Sequence, residues 1–470
     1  MHKRRLLLMP LPLFAASCAV GPRYVPPQPP AAAADAFVTR APGFDAASQP
    51  AQDWWRLYRD PGLDALIEQA LIANTDLRAA AANLAKSRAV MTEARAGRLP
   101  STSLSGGLSR GNGPDSGGGG ATNDGSQWSQ NGGIALSWEV DLFGRVGRTI
   151  DAASADTEAV EAVRDAVRVT IVAETTRAYL DVCTSAHALA IAQESVQTSG
   201  DVLRLVSAQE RAGSVGRLEV ERAGAAGASA RASLAPLEAQ RQVALFELAA
   251  LTGGTPQDVP AAARTCSVIP EPLGAIAVGD GAALLRRRPD LRQAERQLAA
   301  DTARIGVATA DLYPRISLGG SGNFFRNDTV RGGDAFSFSL GPLISWSFPN
   351  TSVARARLRG AQAQGESSLA QFDGRVLQAL KEVEQALTLV AAAQTRLSNL
   401  AEALRRTQIA FDIAKQRYAA GAASFLDLLS AQGDLLAARS AQASAQQQLS
   451  SRRVDLFKAL GGGWEGASAP

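Results

Sequence analysis

Aromatic residues make up only 5% of this 470-residue chain, and charged residues 20%. So few rings cannot fill the large cores of the three ordinary domains that the length would suggest. Two histidines, His2 and His187, and three cysteines leave little for metal or nucleophile chemistry. No nucleophile–base pair and no metal-ligand set stands out, so neither an enzyme nor a cofactor is expected. Nor is there a run of roughly eighteen apolar residues of the kind a membrane-spanning helix needs. Net positive charge is missing too. The formal +3 resides in Lys3, Arg4 and Arg5; the 48 basic residues less these three equal the 45 acidic ones. A balanced chain lacks the electrostatic basis for binding nucleic acid. What is abundant, Ala, Gly, Ser and Gln, suits long helices packed closely.

Residues 1–17 have the make-up of a secretory signal: charged His2 to Arg5, apolar Leu6 to Phe14, then small Ala15-Ala16-Ser17. Cys18 directly after small residues resembles the bacterial lipoprotein signal, which implies lipidation of Cys18 as the new N-terminus. The alternative is a plain signal peptide followed by an incidental cysteine. In such lipoproteins a residue other than aspartate after the cysteine, here Ala19, implies an outer-membrane address. Residues 18–60 form an N-terminal extended segment, whose Pro- and Ala-rich part from Gly21 onward predicts a linker without core contacts.

Self-similarity organises the rest. Asp76-Leu77-Arg78 recurs as Asp290-Leu291-Arg292, Leu99-Pro100 as Tyr313-Pro314, and Ser103-Leu104 as Ser317-Leu318, at an offset of 214. Further on the offset is 208: Ser137-Trp138 matches Ser345-Trp346, and Glu174 and Ala178 match Glu382 and Ala386. Gly213, Leu218 and Glu219 match Gly421, Leu426 and Asp427, and Ala250-Leu251 returns as Ala459-Leu460. The chain therefore reads as two copies of one unit, 61–251 and 282–461, with a tail at 462–470. Residues 252–281 join the copies, and the Pro- and Gly-rich stretch to about 285 is expected to be irregular.

Each copy predicts a helix, a β-hairpin, a very long helix, a turn and a long helix. The first helices span about 61–98 and 282–312, each stopped by proline. The very long helices cover about 149–211 and 352–419, roughly 95–100 Å each at the α-helical rise. Val376, Leu380, Val383, Leu387, Val390, Leu397, Leu404 and Phe411 follow alternating three- and four-residue steps, a coiled-coil seam.

In the hairpins, about 101–142 and 315–348, the period changes to two. Trp128, Ile134, Leu136, Trp138 and Val140 alternate with Ser129, Asn131, Ser137 and Glu139. Leu104 and Leu108 alternate with serines, as do Phe336, Phe338, Leu340, Ile344 and Trp346 with Ser337, Ser339 and Ser345. Strands of this length cross an outer membrane at a tilt. Trp128, Leu136, Trp138, Phe336, Phe338 and Trp346 are the expected lipid-facing set. Four strands cannot close a barrel, and unpaired edges are not tolerated in lipid. Association is required: two copies would give eight strands and a filled interior, three would give twelve and an aqueous lumen.

Trp138-Glu139-Val140-Asp141-Leu142-Phe143-Gly144-Arg145-Val146 resembles the first-hairpin signature of TolC-type outer-membrane efflux lipoproteins. So do Arg288-Pro289-Asp290-Leu291, Ala303-Arg304-Ile305-Gly306-Val307-Ala308 and Tyr313-Pro314-Arg315-Ile316-Ser317-Leu318. Cys18-Ala19-Val20-Gly21-Pro22 with Tyr24 is similar to the mature start of the same proteins. The resemblance covers essentially the whole mature chain. It implies a homotrimer with a twelve-stranded barrel and a periplasmic α-helical coiled-coil tunnel in the bacterial outer membrane. It also implies an exit duct served by a periplasmic adaptor and an inner-membrane resistance–nodulation–division transporter.

Tyr418, Gly421, Ser424, Leu426, Asp427, Leu428 and Leu429 resemble the family's periplasmic tip, where acidic residues line an aperture. Asp427 takes the first acidic position; Ser430 stands at the second, where some members have aspartate. Glu219 holds the equivalent place in the first copy. Both acids are also placed to cap helices. Cys183 lies about 45–50 Å along the helix from the tip near residue 215, and residue 251 about 55 Å. A Cys183–Cys266 disulfide and two buried thiols both remain open. Two other functions fit parts of the sequence: a type I protein-secretion duct, and a structural coiled-coil lipoprotein without lipid-facing strands.

Overall fold

The structure, a computed structural model, describes residues 19–111, 126–327 and 330–462. The proposed signal segment and Cys18 lie outside the described residues. The elements in chain order are β1 (Phe44–Asp45), α1 (Pro61–Ala73), α2 (Thr75–Ala96), β2 (Ser101–Gly111) and β3 (Gln127–Val140). Then come α3 (Arg145–Arg211), α4 (Arg217–Ala232), α5 (Leu234–Leu251), α6 (Ala261–Arg264), β4 (Ile276–Ala277), α7 (Gly281–Arg287) and α8 (Pro289–Ala310). β5 (Arg315–Arg326), β6 (Phe336–Ser345), α9 (Ser352–Ala419) and α10 (Phe425–Ala459) complete the chain. The chain divides into two compact units, and each draws on both sequence copies. One contains residues 19–27, 84–160 and 294–372; the other contains 28–83, 161–293 and 373–462.

Several expected helices are broken, for local reasons. The helix expected over 61–98 is two: Asp60 caps α1, accepting from the amides of Gly62 and Leu63. Asn74 ends α1 and caps α2, its Oδ1 accepting from the amides of Asp76 and Leu77. In the second copy the break falls at Arg288, which precedes Pro289 and has extended ψ of 120°. A residue before proline is pushed out of the helical region. The last helix of the first copy is interrupted at Ser233. Pro236, with no N–H, cannot donate to the carbonyl four residues back.

The first unit holds a four-stranded antiparallel sheet, ordered β2-β3-β5-β6. Gly21, with φ of 89°, packs on Gly306 of α8; a Cβ at residue 21 would stand 2.6 Å from the Gly306 Cα. These glycines let the N-terminal segment lie directly on a helix backbone. Tyr24 Oη donates to Glu295 at 3.0 Å on the same helix.

In the second unit the N-terminal segment is no mere linker, which corrects the reading of 18–60. Phe37 and Trp54 are buried, and Trp54 stacks on Phe457 with ring centroids 4.5 Å apart. β1 pairs in parallel with β4, Phe44 opposite Ile276. Residues 252–285 likewise contain α6, β4 and the start of α7 rather than wholly irregular chain. The aromatic and apolar residues of 28–60 supply burial that their proline-rich flanks conceal. Along α9, Val376, Val383, Leu387, Val390 and Phe411 are buried, on the seam that the sequence pattern marks.

Candidate functional site

The register of the sheet sorts its side chains by parity. Leu104 stands opposite Ile134, Ile134 opposite Gly322, and Gly322 opposite Phe338. Trp138 stands opposite Leu318, and Phe324 opposite Phe336. Directly opposed residues share a face, so the even positions of all four strands make one continuous surface. It carries Leu104, Leu108, Trp128, Ile134, Leu136, Trp138, Ile316, Leu318, Phe324, Phe336, Phe338, Leu340 and Ile344. Phe336 and Phe338 are 70% and 89% exposed, so none of the described residues covers this part of the apolar face. The odd face is mostly Ser, Asn and Gly. Its hydroxyls bond within the sheet: Ser109 to Ser129 at 2.7 Å, Ser321 to Ser339 at 2.9 Å, and Ser101 Oγ donates to the Ser137 carbonyl at 3.0 Å.

Trp346 is the exception among the expected lipid-facing residues. β6 stops at Ser345, so Trp346 and Phe348 lie past the strand, stacked at 4.6 Å. The Trp346 indole donates to the Leu312 carbonyl at 3.1 Å, as its repeat mate Trp138 donates to the Arg98 carbonyl at 3.0 Å. Both tryptophans thus tie a strand end to the chain just before Pro314 or Pro100. The sequence marked the pair as repeat mates but not this bond.

The helix tips come together in the second unit. Val202 and Val206 of α3, Ala223 of α4, Phe411 and Tyr418 of α9, and Phe425, Leu428 and Leu435 of α10 share one apolar cluster. Each turn uses a glycine in the left-handed region, Gly213 at φ 73° and Gly421 at φ 71°. Asp427 and Glu219 occupy the same place, third in their helices. Asp427 closes a capping box: its Oδ2 accepts from the Ser424 amide at 3.0 Å and hydroxyl at 2.8 Å, while its own amide donates to Ser424 Oγ at 3.2 Å. Those bonds hold the Asp427 carboxyl below the ordinary carboxylate range. The first copy has Gly216 at the cap, with no hydroxyl to offer. Burial, then the charge of Glu219, push the Tyr418 phenol up.

Charge is also concentrated where the first helix of the second copy breaks. Arg288 donates to both oxygens of Asp290 at 2.9 and 2.8 Å, to Glu382 at 2.7 Å and to the Ala459 carbonyl at 3.1 Å. In the first copy Asn74 does the same job with an amide, donating to the Leu251 carbonyl at 3.0 Å. In the sequence, Asp290 and Glu382 stand out as repeat matches of Asp76 and Glu174, and Arg288 with Asp290 as part of one motif; the bond from Arg288 to Glu382 is visible only in the structure. In the same unit, Cys183 and Cys266 form a disulfide, closing the question that the sequence leaves open. Among the described residues no His/Cys/Asp/Glu group could hold a metal.

A long-helix chain carrying one four-stranded sheet, apolar on one face and hydroxylated on the other, is the architecture of an outer-membrane channel subunit. The profile of the family described as outer membrane efflux protein matches residues 66–254 and 282–462. The chain belongs to that family, and its place is the outer membrane. It is similar to nodulation protein T of Rhizobium leguminosarum bv. viciae, 29% identical over 99% of this chain and 94% of that one. It is also similar to the outer membrane protein OprJ of Pseudomonas aeruginosa, 32% identical over 98% and 95% of the two chains. The solved outer-membrane channel OprN superimposes with a TM-score of 0.87 at 34% identity, covering 96% of this chain and all of that one (100%).

Proposed function

We propose that this protein is the passive exit duct of a tripartite efflux system for drugs or other small molecules, not an enzyme. Three copies close their sheets edge to edge into a twelve-stranded barrel that continues as a periplasmic helical tunnel. A periplasmic adaptor and a resistance–nodulation–division transporter supply the cargo and the energy. Cys18 carries the lipid anchor. The observation that carries this reading is the sheet itself: an exposed apolar face, a hydroxylated face, and two outer strands with no further partner among the described residues. In lipid such edges must be paired. The relatives' names point the same way, with channels among the solved structures. Insertion of the full-length protein into planar bilayers is expected to give stepwise conductance, and cross-linking a set of trimers. Absence of conductance from a stable oligomer would defeat the duct.

Asp427, together with Glu219, its counterpart in the first copy, is proposed to constrict the periplasmic end. Three symmetry-related carboxylates near an axis attract cations and disfavour anions. The capping box offers a competing role, and two variants separate them. Ser424→Ala keeps the charge and loses the cap, costing about 1 kcal/mol locally; Asp427→Ala loses both. A severalfold conductance rise, or increased antibiotic leakage, is expected for Asp427→Ala alone. Equal effects of the two variants would reduce Asp427 to a helix cap.

A further inference from the structure

The four junctions between sheet and helices carry very different charge. At the two central ones the arginines are neutralised: Arg145 pairs with Glu139 at 2.5 Å, Arg148 with Asp151 at 3.7 Å, and Arg315 with Asp311 at 2.5 Å. Asp141 caps α3, accepting from the amides of Val146 and Gly147. At the two edge junctions no such partners exist. Arg95 and Arg98 before β2, and Arg355, Arg357 and Arg359 after β6, are exposed, and no ion pair engages them among the described residues. From Ser352 the first acidic residue of α9 is Glu366. Arginines in the opening turns of a helix oppose its dipole. The effect is confined to the first turn, where Arg355 is unfavourable unless something anionic lies alongside.

The placement of these arginines bears on which side that is. Glu139 belongs to the hydroxylated face, and it lines a groove of about 650 Å³ together with Arg357 of α9, Val90, Glu93 and Ala94 of α2, and Gly97 just after α2. At 3.6 residues per turn, Arg355 and Arg359 stand about 160° around α9 from Arg357. Arg95 stands about 100° around α2 from Ala94 and about 140–160° from Val90 and Glu93. Arg355 and Arg359 therefore stand on the side of α9 away from this groove, and none of Arg95, Arg98, Arg355 and Arg359 lines it. The backbone carbonyl of Arg98 receives the indole of Trp138, an apolar-face residue, so Arg98 sits beside that end of β3. On the other edge the exposed Trp346 and Phe348 lead straight into α9.

We propose that Arg95, Arg98, Arg355 and Arg359 form a basic collar that binds anionic phospholipid headgroups in the periplasmic leaflet of the outer membrane. The proposal rests on the apolar face meeting lipid. It adds a headgroup preference that the hydrocarbon contact alone does not require. Interfacial tryptophans and arginines are complementary here: the rings take the boundary of the hydrocarbon and the guanidinium groups take the phosphates.

The test uses the full-length, delipidated protein in detergent, titrated with phosphatidylglycerol or phosphatidylcholine and followed by native mass spectrometry. The wild type is expected to prefer phosphatidylglycerol. R355Q/R359Q is expected to weaken that binding roughly 25-fold, about fivefold per arginine. The double lysine variant R355K/R359K should retain most of it, and R357Q, on the groove side, should leave it unchanged. An undiminished preference in the double glutamine variant would overturn the collar. So would displacement of the lipid by inorganic phosphate at matched ionic strength, which would mean a free-phosphate site. Bilayer conductance of the same samples separates the two readings. A conducting variant without headgroup preference loss refutes the collar alone, whereas a wild type that never conducts refutes the duct.

Discussion

Removing the disulfide, by reductant or by Cys266→Ala, is expected to release the stretch that joins the two sequence copies. The bond closes a loop of 83 residues between α3 and the segment just after α6. Chain-entropy arithmetic for a loop of that length gives about 4–5 kcal/mol. That is roughly a thousandfold change in the equilibrium for unfolding the chain that the loop encloses. Cys183 is fully buried in α3, so the Cys266 side is the one that would swing free. Replacing Cys266 rather than Cys183 leaves the helix packing untouched. Limited proteolysis within 252–281 is the direct readout, with cleavage accelerating steeply on reduction. Equal cleavage rates with and without reductant, or two titratable thiols in the untreated protein, would sink the expectation. The consequence for function is local: the joining segment would lose its anchor while the sheet, in the other unit, stays intact.

Arg288→Met should cost about 3 kcal/mol, the lower end of the range for breaking a buried ion pair. Arg288 retains only 10% of its side-chain exposure, but Asp290 and Glu382 keep 28% and 36%. Water can therefore solvate the stranded carboxylates in part. The carbonyl of Ala459 also loses its donor, which ties the end of α10 to the break between α7 and α8. The pH dependence has a definite sign. Burial alone would raise the Asp290 carboxyl, yet the hydrogen bonds and charge of Arg288 outweigh it and hold that group below its ordinary value. A depressed carboxyl stabilises the fold fully above a pH of about 4, and the contribution fades as the pH falls below that value. Thermal unfolding of the wild type should thus show an acid-side loss that Arg288→Met lacks. Parallel acid profiles for the two proteins would show that the pair contributes nothing.

Much of the site was legible because its signals are local. Alternation of Trp128, Ile134, Leu136 and Trp138 with serines is a property of one strand, and sheet geometry converts it into two faces wherever the strand pairs. The second copy repeats the pattern with Phe336 and Phe338, so the four strands were visible before any contact was known. The turn glycines and the acids three residues into the following helices were equally plain. The capping box at Asp427 was foreseeable only as a choice between cap and aperture, and the structure places the cap there without removing the charge. Trp346 was misassigned to a strand because its apolar parity continues past Ser345, although the ladder does not.

The breaks at Asn74 and Ser233 escaped notice for the opposite reason. Hydrophobic periodicity runs through them, and the deciding events are a side-chain cap and a missing amide hydrogen. Trp54 was hidden in a proline- and alanine-rich stretch, and only its stack on Phe457, some four hundred residues on, shows that this stretch is packed.

What the sequence by itself determined was the duplicated unit, the long helices, and a pair of hairpins each with an apolar and a hydroxylated face. These follow from periods of two and about 3.5 residues, which are set by backbone geometry over a few residues. The tertiary structure decided what periodicity cannot carry. It joined the hairpins through β3 and β5 so that their parities agree, built each compact unit from both copies, linked Cys183 to Cys266, and set Arg288 between Asp290 and Glu382. Each of these depends on residues far apart in the chain, where geometry and burial rather than spacing choose the partner.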